Sequence, residues 1–302
     1  MTNIILILYK SIWPNKTFMK KVVLSTVALM IASVGLAQDN YSGVLQAGAD
    51  NESTVTQLGY YNGSGVIQLG LDNESTVFQD GDENLSGVAQ LGNRNDSYVD
   101  QEEDNGSIVA QLGNRNDSYV EQGSSNGSIV AQIGNRNDSY VSQGGANGSI
   151  VAQLGNRNDS KVDQGGDNGS IVAQIGNRND SYVSQEADNG SIVAQIGNRN
   201  ESDVEQGSSN GSIVAQIGNR NDSRVDQYGE GNNGSLVAQL GWRNMSTVTQ
   251  NGYENISGVL QAGWDNTSTV TQTESGHLSG VLQIGAGNMS TVTQSGGGPT
   301  LD

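Results

Sequence analysis

From Asn40 onward, polar and apolar positions alternate in one recurring pattern, N-x-S-x-V-x-Q, usually followed by x-G. It occurs 24 times up to Gln294: Ser stands four and Val two before every Gln, and Asn stands six before in 23 units, His277 being the exception. Fixed and variable residues alternate with period 2, which predicts a strand of five to seven residues per unit. Three or four linking residues, such as Leu112-Gly113-Asn114-Arg115 or Gly144-Gly145-Ala146, follow each Gln. The expectation is a tight turn whose φ > 0 positions fall to Gly and Asn. No proline interrupts a repeat, so no strand loses a ladder donor.

The units come in pairs, spaced 10 and 11 residues through the middle of the chain and 11 at both ends, so the true period is 21 or 22 residues. A fixed period in this range marks a solenoid. The expected fold is all-β: a two-sheet β-solenoid of about twelve strand–turn–strand rungs, with one insertion around Tyr228–Asn232.

The pattern also decides which face is inside. In odd units the variable positions are apolar, as in Ile108, Ala110, Ile129, Ala131, Ile150 and Ala152; even units carry Tyr98 and Asp100, Tyr119 and Glu121, or Lys161 and Asp163 there. Burying such charges unpaired would cost several kcal/mol each. The inward set common to both sheets is therefore Asn, Ser, Val and Gln. Its Ser/Val columns include Ser97, Val99, Ser107, Val109, Ser118, Val120, Ser128 and Val130. Identical rungs stacked ~4.8 Å apart let each amide bond its copies above and below. The expected amide ladders run through Asn51, Gln57, Asn62, Gln68, Asn95, Gln101, Asn116 and Gln122. They continue through Asn137, Gln143, Asn158, Gln164, Asn179, Gln185, Asn244, Gln250, Asn288 and Gln294.

Composition narrows the function. The 302 residues hold no Cys, one His, 14 Lys+Arg and 32 Asp+Glu, a net charge of −18. That excludes a disulfide framework, a thiolate or multi-His metal site, and a cysteine nucleophile. So acidic a chain repels phosphate, so nucleic acid is not an expected partner. No nucleophile, base and orienting group converge in the pattern, so no enzyme and no cofactor are expected. Asp/Asn-rich turns suggest calcium, but the G-G-x-G-x-D nonapeptide of calcium solenoids is absent.

Residues 1–37 read as an address. Lys20 and Lys21 precede an apolar run from Val22 to Val34, and Gly35-Leu36-Ala37 supplies small residues for cleavage. We expect Met19 to be the true start, cleavage after Ala37, a solenoid over 38–294 and a short tail over 295–302, with no membrane span in the mature chain. Removal of 1–37 takes away four lysines and no acid, leaving ten cations against 32 acids, a net of −22.

The columns N-x-S-x-V-x-Q-x-G-x-x-N resemble the curlin repeat, the unit of curli subunits, and the resemblance covers nearly all of the chain after residue 40. It implies a secreted subunit that polymerises end to end into extracellular amyloid fibres on the cell surface of a double-membrane bacterium, with roles in biofilm matrix, adhesion and cell aggregation. The implied partners are further copies of the chain, a nucleator subunit and an outer-membrane secretion pore. Two features depart from a major subunit. Gln38-Asp39 leads straight into Asn40 where a Gly-rich secretion tail is usual, and the strictly 11-residue end units look as much like a nucleator. The regularity of the rungs favours the bulk subunit. The alternative is a monomeric extracellular binding module, either an adhesin or an ice-binder using Thr-Val-Thr arrays.

Charge placement adds an expectation about growth. The central even units pair Arg115 with Asp117, Arg136 with Asp138 and Arg157 with Asp159 at i, i+2, while end units carry Thr54-Val55-Thr56 or Thr291-Val292-Thr293. The central charges are read as gatekeepers against early aggregation, each Arg column offsetting the repulsion within its Asp column. The outward Ile/Ala stripe of the odd units is read as a lateral packing face.

Overall fold

The computed structural model describes residues 40–229 and 231–296. The segment read as an export signal, and nearly all of the C-terminal tail, lie outside the described residues. Twenty-four strands run from Tyr41–Ala49 to Met289–Gln294, all of the described regular structure being β. Two compact units divide the chain, one ending at Ala146 and one beginning at Asn147.

In the first unit, the five odd-numbered strands form one parallel sheet layer and the five even-numbered strands the other. In the second unit, seven odd and seven even strands do the same, so that each sheet takes twelve strands and the fold is a β-solenoid of about twelve coils. Register is dictated by the columns: Ser170 pairs Ser191, Val172 pairs Val193 and Gln174 pairs Gln195. Even where the chain inserts residues after Tyr228, Gln227 still pairs Gln250, because the insertion is confined to the arc.

Between the sheets lies a thin core. Val109, Val130, Val172 and Val193 are fully excluded from solvent, and so, within a few per cent, are the Asn, Ser and Gln of the same coils. A coil of 21 or 22 residues could not bury four side-chain amides by itself. Repetition makes it possible, since every amide finds an identical partner one coil away.

Two expectations about the backbone change. Odd strands are nine residues long, as in Gly190–Asn198, and most even strands seven or eight, as in Glu201–Ser208, rather than five to seven. Stacked identical arcs pair in parallel too, so the ladder carries on past Gln into the turn. The left-handed positions are also shared differently. Gly197 at φ +125° approaches Gly218 so closely that a Cβ would sit 1.8 Å from its carbonyl oxygen, so only glycine fits. The residue before each buried Asn is also left-handed, but there Arg115, Asp188 and Ser209 stand at φ 58°, 55° and 57°. Stacking holds these non-glycine residues in a conformation that costs about 1 kcal/mol or more each.

Candidate assembly interface

The two amide ladders run in opposite senses. Gln195 donates from Nε2 to Gln216 Oε1 at 2.9 Å, toward the C-terminal neighbour, and to the Asp180 carbonyl at 2.7 Å. Asn179 donates the other way, from its backbone N–H and Nδ2 to Asn158 Oδ1 at 3.1 and 3.3 Å, and from Nδ2 across the arc to the Gly197 carbonyl at 3.1 Å. The same bonds link Gln57 to Gln79, Gln68 to Gln90, Gln101 to Gln122 and Gln122 to Gln143. They also link Gln164 to Gln185 and Gln250 to Gln272, while Asn73 joins Asn51, Asn84 joins Asn62, Asn116 joins Asn95, Asn137 joins Asn116 and Asn244 joins Asn221.

At the edges the ladders stop. No described residue donates to Gln46 Oε1 or Gln57 Oε1 in the first coil, while Asn51 and Gln57 are only half-buried. In the last coil Gln294 accepts from Gln272 at 2.8 Å and donates only to the Leu278 carbonyl, at 3.0 Å; Asn288 Oδ1 accepts from no described residue. One edge thus shows Gln acceptors and the other Gln donors with an Asn acceptor. His277 occupies the Asn column of this last coil, its N–H donating to Asn255 Oδ1 and its ring Nε2 lying 2.7 Å from the Thr273 carbonyl.

The serine column behaves differently from the amides. Ser97, Ser107, Ser118 and Ser128 are buried, and their hydroxyls, like those of 18 further column serines, have no hydrogen-bond partner among the described residues. Stacked serines lie a full rung apart, beyond hydrogen-bond reach. The inward Ser column of the sequence pattern carries no sign of this cost, which depends on the spacing between coils.

At Asp117 and Asp159 the expected offset by arginine does not act on the carboxyl. Burial pushes the carboxyls of Asp117 and Asp159 above their ordinary range, opposed only by a backbone hydrogen bond, and no arginine contributes. Asp180 is raised to about 6 by burial and then by Asp159 and Glu201 one coil away on either side. The reason is placement: Asp opens the even strand, while Arg sits on the left-handed arc residue, so i, i+2 spacing across the arc, unlike i, i+2 within a strand, does not bring the charges together. Arg224 is where pairing is tight, holding Asp226 at 2.8 Å with Asp203 and Glu205 each at 4.0 Å. Tyr98, Tyr119 and Tyr140 stack on the outer even face with centroids 4.9 and 5.0 Å apart. Burial first, and then Glu121, push the Tyr119 hydroxyl up to about 12.

The outward odd face is apolar. In the first unit Ile108 and Ile129 are about two-fifths exposed; in the second, Ile150, Ile171, Ile192 and Ile213 form one such row, and Ala152 starts the row beside it. Ile67, in contrast, is buried. Among the described residues no three carboxylates or imidazoles gather to hold a metal ion, and no helix is long and apolar enough to cross a membrane.

Residues 48–81, 70–102 and 241–273 match the curlin associated repeat. Curlin repeats thus occur near both ends of the described solenoid. The matched segments lie in both units, and the coils between them carry the same Asn, Ser, Val and Gln columns in the same register. No curated protein matches the chain. Curlin repeats on a β-solenoid fit a curli-type structural subunit.

Proposed function

We propose that the chain is a secreted fibre subunit that adds head to tail to further copies of itself, building an extracellular curli-type amyloid for biofilm matrix, adhesion and cell aggregation. The observation that carries this is the opposed polarity of the ladders. Donor Gln294 at one edge and acceptors Gln46 and Gln57 at the other are complementary in one orientation only. Head-to-head contact would set like groups against each other and leave them desolvated, at about 1–3 kcal/mol each. Head-to-tail contact continues the lattice, and a heterologous contact that does not close makes a filament. Residues 1–37 then serve as a cleaved export signal into the periplasm, and a nucleator and an outer-membrane pore complete the pathway. The central Asp and Arg rows act as gatekeepers, holding back aggregation until the ends meet a template.

The test is incubation of the chain from Gln38 onward, followed by fibre diffraction. Filaments with reflections near ~4.8 and ~10 Å are expected. Chains that stay monomeric at high concentration overturn the reading.

A further inference from the structure

We infer that the odd-sheet face of the second unit is a docking surface for a second copy of this chain, seated side by side with parallel axes and offset along the fibre. The inference rests on the fibre reading above and adds how filaments associate.

Three adjacent rows define the face. From strand to strand the first row reads Ile150, Ile171, Ile192, Ile213, Leu236, and then Gly258 and Gly280. The middle row reads Ala152, Ala173, Ala194, Ala215, Ala238, and then Leu260 and Leu282; the third begins with Leu154, Ile175 and Ile196 and reaches Ala262 and Ile284. Over five coils, therefore, an alanine groove runs between two branched ridges. In the last two coils the profile inverts to a leucine ridge beside glycine. Leu260 and Leu282 are 45% and 64% exposed, and Ile192 is 41% exposed. Side chains that stand proud at one end match a groove of the same spacing further along, so two copies of the chain supply both halves of the fit.

Charge points to the same occupant. None of the outward residues on these odd strands is ionised, in a chain of net charge −18. On this face two acidic copies can meet without repulsion. Its borders are complementary: Arg157, Arg178, Arg199 and Arg220 follow the strands on one side, while Asp167, Asp188 and Glu254 precede them on the other. A two-fold rotation about the fibre axis sets each Arg border over the Asp border of its partner. Rotation about the strand direction would set Arg over Arg, which selects parallel filaments.

The groove spans about 24 Å along the axis and about 13 Å across, roughly 300 Å² per copy, from the strand and rung spacings. A stable pair of proteins commonly needs ~800 Å² on each side. Isolated chains should therefore stay unpaired through this face, whereas filaments, in which the contact recurs with every copy, should bundle.

Two variants of the full chain test this: Ala173→Leu/Ala194→Leu/Ala215→Leu fills the groove without charge, and Leu260→Ala/Leu282→Ala removes the ridge. Filaments are counted singly and in bundles by negative-stain microscopy, with fibre diffraction and adsorption to polystyrene beads in parallel. We expect both variants to keep wild-type filament yield and rung reflection but to lose bundling. If the groove-filling variant fails to fold, the ridge variant, whose changes lie on exposed side chains, still decides. Bundles unchanged in the ridge variant overturn the proposal, as does loss of bead adsorption with bundling intact, which would assign the face to apolar surfaces. A wild-type chain that forms no filaments overturns the fibre reading itself; wild-type bundles matched by the variants overturn this proposal alone.

Discussion

Replacing Ser170, Ser191 and Ser212 together by alanine should stabilise the solenoid. Each is about 3% exposed and none of their hydroxyls has a partner among the described residues. A hydroxyl taken out of water without a replacement hydrogen bond costs about 1–3 kcal/mol. Alanine removes that cost while keeping the Cβ that packs between Asn and Val, and the lost oxygen leaves a void smaller than a methyl group. Summed over three adjacent coils, the gain is roughly 3 kcal/mol or more, since repeat stabilities add along a solenoid. The assay is urea unfolding of freshly diluted, unassembled chain, read by the far-UV signal, with the midpoint shift converted through the slope. A shift to higher urea is expected, together with a shorter lag before fibres form. If the triple variant instead loses about 1 kcal/mol or more per site, the hydroxyls have partners in solution and the reasoning fails. The stabilising outcome carries a consequence: a serine kept in all 24 units at a cost to the fold would serve to hold the chain unfolded until it assembles.

Other outcomes follow from the same geometry. Gln195→Leu orphans one N–H of Gln174 Nε2, Gln216 Oε1 and a bond to the Asp180 carbonyl, and should cost roughly 3–9 kcal/mol at about 1–3 per orphaned group, measured by the same unfolding assay. Gly197→Ala should block folding of its coil because the new Cβ meets the Gly218 carbonyl at 1.8 Å, whereas Gly190→Ala, with nothing within 4 Å, should leave the urea midpoint unchanged. Asp180 titrates at about 6 in the fold against an ordinary 3.8, so the native state binds the extra proton between those values. Stability should therefore rise as pH falls from about 6 toward 4. Asp180→Asn should flatten that slope, and a wild-type midpoint lower at pH 4.5 than at pH 7 would contradict the assignment.

The sequence by itself determined the number of strands, their pairing into coils and the inward set. Three invariant columns and an Asn column broken only at His277, with period 2, leave one arrangement that buries no charge, and the register of Ser170 on Ser191 follows from identity of the units. What the columns could not carry was anything set by the third dimension. Strand length depended on whether arcs stack, and they do, because Gly197 and Gly218 bring two backbones together. The Arg and Asp of the central units look paired when written two apart, yet one sits on a left-handed arc residue and the other opens a half-buried strand, so Asp180 feels Asp159 and Glu201 instead. The serine hydroxyls were invisible as a cost, because whether a polar atom finds a partner depends on the distance between neighbouring coils. The polarity of the ladders was equally hidden: a Gln can donate up or down, and only the opposite sheet's carbonyl, accepting its second N–H, decides which.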